Sequence, residues 1–418
     1  MKHILMIAFH FPPQTGSSGI QRTLRFVRHL PEFGWQPIVL SADPRAYERT
    51  SNDLMAEIPE GTVVSRAFAL NTARHFSIAG RYIAAMARPD RWISWKFAGI
   101  KEGRRLIEKY RPDVIWSTYP IATAHVIALE LRRRSGLPWV ADFRDPMTHS
   151  EYPTDPVTRR QFREIEAEVI DKAALSLFTT PGAARACRER YPERASRVQV
   201  LENGYDEESF SGLRPPTGSF NPGGVALLHS GIVYPSERDP GALFIALETM
   251  KRQGRVVPGS LKIRFRAPLH DELLRSLAGK HGVEAFVEIC PAIPYREALS
   301  EMLSADGLLV MQAANCNEQI PAKIYEYLRA GRPVLGLTDP TGDTAGVLRE
   351  AGIHTTAALD SPSEIVSLIE KFMRGGHDGF LPTPAYVESA SRYGRARAFA
   401  SLLDKTLRDR RATTDVQT

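Results

Sequence analysis

Glu318-Gln-Ile-Pro-Ala-Lys323-Ile-Tyr-Glu326 sets two carboxylates and a lysine around a proline. Pro321 can open a helix, and Lys323 and Glu326 are then three apart, on one helical face. A helix start offers unpaired backbone N–H groups and the positive end of a dipole, which suit phosphate oxygens. A carboxylate one turn further in can accept hydrogen bonds from a pair of sugar hydroxyls. A nucleotide sugar asks for both features. The plainer reading is a surface ion pair contributing only ~0.2–0.5 kcal/mol. Context weighs against it, because the helix should stop at Gly331 and Pro333 to Leu337 reads as a buried strand. In such α/β alternations, sites form at the carboxyl ends of strands.

Three further segments carry candidate chemistry. The turn after the first strand reads His10-Phe-Pro-Pro-Gln-Thr-Gly16-Ser-Ser-Gly19-Ile-Gln-Arg22. Gly16 and Gly19 let backbone approach a ligand at a helix start, although a plain connection has the same composition. The run is not a Gly-x-Gly-x-x-Gly fingerprint, and no Gly-Lys-Ser/Thr phosphate loop occurs. In His229-Ser230-Gly231-Ile-Val-Tyr234-Pro-Ser-Glu-Arg238-Asp-Pro240, a strand ends at Ser230 and Gly231. Arg238 then precedes a helix, where a guanidinium can fork onto a diphosphate; its alternative is a surface pair with Glu237 or Asp239. Trp139-Val-Ala-Asp142-Phe-Arg144-Asp145 runs as a strand into a charged tip, either a substrate edge or an Arg144–Asp ion pair pinning a loop. Tyr119, at the end of the neighbouring strand, faces the same edge, whereas His125 reads as structural. No Asp-x-Asp pair is present. Leaving-group stabilisation by Arg238, Lys323 and backbone amides is therefore expected without a metal or other cofactor.

These residues must be held by elements that the pattern also gives. A chain of 418 residues exceeds the span over which one core keeps growing, so two domains are expected. Strands are read at His3 to Phe9, Pro37 to Ser41, Val63 to Ala67, Val114 to Ser117, Trp139 to Phe143 and Leu175 to Thr179. Helices lie between them, followed by Gln199 to Leu201 and a turn at Asn203-Gly204. The Pro- and Gly-rich stretch 213–224 reads as a linker between domains at 1–212 and 225–385. The second alternation has strands at Val225 to His229, Leu261 to Arg266, Val287 to Ile289, Gly307 to Met311 and Val334 to Leu337. Tyr386 to Arg411 reads as one helical tail. Two successive Rossmann-like α/β halves follow from this pattern.

Composition excludes several classes. The charge of +6 is mild, and the arginines are scattered over helix faces, so nucleic acid is not expected as a partner. Cys187, Cys290 and Cys316 are too far apart for a disulfide framework or zinc spacing, which suits a reducing cytoplasm. No apolar run approaches the ~18 residues of a membrane span, and the first ten residues read as a strand rather than a signal peptide. Arginine mixed with aromatics in Arg81 to Phe97 could touch lipid headgroups at the inner membrane face, or simply pack inside.

Glu318 to Leu335 resembles the donor-site signature of the retaining nucleotide-sugar glycosyltransferases of family 4, whose fold is the two-lobed GT-B. Lys323 matches the branch with a Pro-x-Lys version of that signature. The Gly16–Gly19 loop, Asp142-Phe-Arg144-Asp145 and Asn203-Gly204-Tyr-Asp resemble further family segments, and the likeness spans Met1 to about Leu403. The resemblance implies two Rossmann-like domains facing across a cleft, with the terminal helix, 386–411, crossing back to the first. It implies that Glu318 lies by the transferred sugar, with Arg144 and Asp145 near its hydroxyls, while Glu326 holds the ribose. Gly16, Gly19, Ser230, Gly231, Arg238 and Lys323 then surround the donor diphosphate, and Tyr119 and Asp142 line the acceptor side. Relatives carry a second cation, a lysine, in the Arg238 loop; here that lysine is absent and Lys323 is its substitute. The implied activity is retaining transfer of a sugar to a hydroxyl acceptor, a glycan or lipid-linked saccharide. A hydrolysing nucleotide-sugar epimerase and a catalytically silent sugar-nucleotide-binding partner are the alternatives.

Overall fold

The computed structural model describes residues 1–16, 19–79, 81–149, 152–215 and 218–415. They form two compact units, one of residues 1–202 with 392–418 and one of residues 203–391. The stretch 213–224 read as a linker falls within the second unit by this division, and Pro216 and Thr217 lie outside the described residues.

Seven strands build the first unit: β1 (Lys2–Ile7), β2 (Trp35–Ala42), β3 (Val63–Ala67), β4 (Val114–Thr118), β5 (Trp139–Arg144), β6 (Leu175–Phe178) and β7 (Val198–Val200). They lie in the order β3-β2-β1-β4-β5-β6-β7, every pair parallel. Ile4 to Ile7 are all buried because helices cover both faces of the sheet, so near-continuous apolar runs replace alternation. One face packs Leu5, Ile7 and Ile115 against the helices Trp95–Tyr110 and Ala122–Ser135. Gly99 and Gly103 of the first of these helices leave room for Ile127 and Leu131 of the second; a Cβ would come within 2.6 and 2.4 Å of those side chains.

The other face packs Ile4, Met6 and Trp116 against the helix Gly19–His29 and the terminal helix Arg392–Asp415. Phe399 lies 4.7 Å from the Phe26 ring and 6.1 Å from that of Trp116, and Asp404 accepts a 2.9 Å hydrogen bond from Trp35 Nε1. The tail thus returns to the first unit, as expected. It is not the single helix read over 386–411. A short helix, Pro384–Ser389, stops before Ala390, and the long one starts at Arg392. Ala390 accepts from the Tyr205 N–H, and Ser391 bridges Tyr205 in parallel register, so an isolated bridge at Ser391 interrupts the helical run.

Six strands build the second unit: β8 (Val225–Ser230), β9 (Leu261–Arg266), β10 (Val287–Cys290), β11 (Gly307–Gln312), β12 (Val334–Thr338) and β13 (Thr356–Ala357). Their order, β10-β9-β8-β11-β12-β13, is that of a dinucleotide-binding sheet, and all pairs are parallel. Leu227 and Leu309 face one core with the helix Gly241–Arg252, while Leu228, Leu308 and Val310 face the other with the helix Lys323–Ala330.

All five tryptophans, at 35, 92, 95, 116 and 139, belong to the first unit, so their emission reports its unfolding alone. Phe399→Ala should destabilise that unit by about 3–5 kcal/mol. Urea titration followed by tryptophan fluorescence should show the lower midpoint; an unchanged midpoint would mean that this helix does not support the fold.

Candidate functional site

In the second unit the connections after β8 and β11 leave toward opposite faces, which opens a crevice at their carboxyl ends. β8 ends at Ser230, whose N–H donates to the Tyr327 hydroxyl at 2.7 Å. This bond ties the helix Lys323–Ala330 to the strand end. Gly231 follows with φ +114°, and a Cβ there would lie 3.1 Å from Lys323 Nζ. Only glycine gives both that backbone and that space.

Lys323 opens the helix, two residues after Pro321, and Gly331 closes it with φ +65°. No side chain caps its start, where Pro321 O accepts the Ile324 N–H at 3.0 Å. Lys323 Nζ lies 3.0 Å from Nε2 of His229, a fully buried residue whose Nδ1 is 2.9 Å from Leu309 O. These two contacts assign the tautomer: Nδ1–H donates to the carbonyl, and Nε2 accepts from the lysine. Burial and the charges of Lys323 and Arg238 hold the His229 pKa far below its ordinary value. Burial, then Arg238, pull the Lys323 pKa down to about 7, against the opposing effect of Glu326.

Arg238 lies over the Tyr234 ring at 5.3 Å, donates to Ile232 O at 2.9 Å and approaches Gln312 Oε1, at the end of β11, at 3.5 Å. The alternative, a surface pair with Glu237 or Asp239, does not form, and Arg238 turns toward the strand ends instead. Glu326 accepts a 2.6 Å hydrogen bond from the Tyr295 hydroxyl. Glu318 stands exposed on the turn before the helix. That turn is braced by Asn317, which donates to Asp339 at 2.8 Å and accepts the Asp343 N–H at 2.8 Å. Ser230, Gly231, Arg238, Lys323 and Glu326 therefore gather at one strand edge.

In the first unit, Gly16 is exposed with φ +83° and Gly19 is buried at the helix start; Ser17 and Ser18 between them lie outside the described residues. Arg22, one turn into the helix, forks onto Asp142 at 2.9 and 3.0 Å and donates to Leu201 O and Glu202 O. Asp142 is 0% exposed, which corrects its placement on the acceptor side: both oxygens are taken by Arg22. The pinning partner is thus Arg22, not Arg144. Tyr119 is likewise 4% exposed, with its hydroxyl pKa pushed up by burial, and belongs to the core edge rather than to an open acceptor face. His125 is buried against Ser117 and Trp139, as read.

β5 bulges between Asp142 and Arg144, and Arg144 takes φ +63°, unusual without glycine. Its carbonyl accepts from the Thr179 N–H and hydroxyl, both at 2.8 Å, while its buried Nε has no hydrogen-bond partner. Asp145 keeps much of its surface area, yet neighbouring protein atoms crowd its carboxyl; that desolvation raises its pKa against the pull of Arg144 and Arg22. His10, three residues beyond β1, has its pKa lowered to about 4 by burial and by Arg144. A held-neutral imidazole, a guanidinium carried on left-handed backbone and a carboxyl group thus share one edge. His10, Arg22 and His229 were not singled out from sequence. A polar residue ending an apolar strand marks His229, but nothing local marks a pair 120 residues apart such as Arg22–Asp142.

Asp142→Ala should leave Arg22 charged and buried, costing about 3–5 kcal/mol. Gly231→Ala should crowd Lys323 and force a left-handed alanine, costing about 1–3 kcal/mol. Denaturant titrations of the two variants check these values, with losses below ~0.5 kcal/mol contradicting the geometry.

Residues 18–204 match the sequence model of the glycosyl transferase 4-like domain. No curated protein matches the chain by sequence. Among solved structures, HepE from Anabaena in complex with UDP superposes with a TM-score of 0.60 at 14% identity, over 100% of each chain. Sucrose-phosphate synthase from Thermosynechococcus elongatus gives 0.60 at 12% identity, over 97% of this chain and 99% of that one. The lipopolysaccharide outer core galactosyltransferase WaaB gives 0.59 at 12%, over 96% and 99%. Residues 18–204 therefore carry a glycosyl transferase 4-like domain, and the chain as a whole has the two-domain GT-B fold of these structures.

Proposed function

We propose that the chain transfers a glycosyl group from a nucleoside diphosphate sugar to a hydroxyl acceptor, a glycan or a lipid-linked saccharide. The observation that carries this reading is the gathering of Arg238, Lys323 and Glu326 around Gly231 at the ends of β8 and β11. Two cations and the open helix start receive the diphosphate and stabilise its charge as it leaves. Glu326 already accepts a hydroxyl hydrogen bond from Tyr295, and a ribose hydroxyl takes that place. The solved complexes of HepE with UDP and with UDP-glucose support this class of donor.

Glu318, exposed on its braced turn, attends the transferred sugar. Transfer proceeds with retention: the sugar–phosphate bond breaks through an oxocarbenium-like state, and the acceptor oxygen bonds to the anomeric carbon on the same face. The acceptor's proton passes to the departing diphosphate. Arg238, Lys323 and the backbone amide at the start of the helix Lys323–Ala330 supply the electrophilic assistance, so no metal is required.

A thermal-shift screen of nucleoside diphosphates and their sugars should find one that raises the melting temperature. Glu326→Ala should weaken its binding roughly 10–100-fold, the loss of a charged acceptor. Transfer to an acceptor should persist in EDTA with the anomeric configuration kept. Conversion of the donor without any acceptor would identify an epimerase instead, and binding without turnover a silent partner.

Peripheral membrane contact belongs to this reading too. Among the described residues no helix is long and apolar enough to cross a membrane. Ile78 (85% exposed) and Ile83 (68%), with Tyr82 and Met86, form an apolar surface flanked by Arg81 and Arg88. Vesicles with anionic lipid should retain the protein in sedimentation, and I78E/I83E should release it; equal retention would remove this surface from any membrane role.

A further inference from the structure

The His229–Lys323 contact joins two groups that share a single lone pair. We propose that His229 is a positioning residue which holds Lys323 over Gly231, where burial and the neighbouring Arg238 disfavour its charge, so that binding of a nucleoside diphosphate drives proton uptake at Lys323. This inference rests on the donor-site reading above.

The geometry leaves little alternative use for either side chain. His229 Nδ1–H is committed to Leu309 O at 2.9 Å, which leaves the Nε2 lone pair for Lys323, beside the Ile232 carbonyl. That lone pair meets Lys323 Nζ at 3.0 Å. Protonating His229 would remove the acceptor and set a second cation against the lysine, so the imidazole stays neutral. A neutral acceptor orients the amine without neutralising it. Arg238, from the loop after β8, adds a like charge, and Glu326, one turn along the same helix, adds an opposing one. The remaining polar groups are the Ile232 carbonyl, which lies against the His229 ring and accepts from Arg238, and the Tyr327 hydroxyl, which accepts the Ser230 N–H and whose pKa is pushed up by burial. Lys323 consequently titrates near neutrality while the crevice is empty.

A diphosphate brings two negative charges beside this amine and favours its ammonium form. The sign follows. Below about pH 7 the lysine is already charged and binding takes up no proton. Above it, binding takes up a proton and the affinity falls with rising pH, by up to tenfold per unit. The histidine also fixes where that charge appears, directly above the glycine that leaves room for it.

Calorimetric titration of the full chain with UDP-glucose, GDP-mannose and ADP-glucose tests this, because their phosphodiester oxygens do not titrate near neutrality. The sugar that binds should take up close to one proton at about pH 8, measured across buffers of different ionisation enthalpy, and close to none at about pH 6. Lys323→Met should abolish the uptake. His229→Leu should move the break in the affinity–pH profile to lower pH, and His229→Gln, which restores an acceptor near Nζ, should move it back. Binding with no proton uptake in the unmodified chain overturns the inference and leaves the donor site standing. Failure of all three sugars to bind overturns the donor site and the inference together. If the His229 variants do not fold, the proton counts for the unmodified chain and Lys323→Met decide. An unmoved profile in folded His229→Leu would reduce the histidine to core packing.

Discussion

Where consecutive connections of a parallel sheet depart to opposite faces, no helix crosses the strand ends between them. The second unit meets this condition between β8 and β11, because Leu227 and Leu309 look toward one core while Leu228 and Val310 look toward the other. The first unit meets it between β1 and β4, with the helix Gly19–His29 on one face and Ala122–Ser135 on the other. Every polar group considered for chemistry lies at the carboxyl side of such a sheet. The apolar cores decide where helices can pack, and the sites occupy what they leave open.

The two units use charge differently. Arg22 and Asp142 are almost sealed from water, and each satisfies the other through two hydrogen bonds while backbone carbonyls take the remaining donors. Such a pair fixes geometry, locking the first helix to β5 and to the chain leaving β7, and it offers nothing to a ligand. Around Lys323 the balance is left incomplete: two cations face one carboxylate and a neutral imidazole. An incomplete balance in a place with little water is how a protein keeps affinity for an anion in reserve.

The sequence carried the strands well, because β1, β4, β5, β11 and β12 are buried on both sides and read as short apolar runs between turn residues. The helix stop at Gly331 was also legible, since its positive φ demands glycine. Glu326 and Lys323 could be placed on one helical face by spacing alone. The break at Ala390 was not legible, because Tyr386 to Arg411 is helix-compatible throughout and the interruption comes from Tyr205, remote in sequence. Asp142 was misplaced for a similar reason. A carboxylate at a strand tip looks the same whether it faces a ligand or a buried arginine that arrives from the first helix. His229 was marked as a polar residue at the end of an apolar strand, but its role came only from Leu309 and Lys323, which give its two nitrogens opposite parts.

The first unit is assembled from both ends of the chain, with the whole second unit inserted between Glu202 and Arg392. During synthesis, the sheet face bearing Phe26 and Trp116 therefore waits for Phe399 and Leu403, which are made only after the whole insert. The continuous insert has all its strands in hand earlier and can fold first. Until the tail arrives, the nascent amino-terminal half carries an uncovered apolar face, a natural client surface for a chaperone.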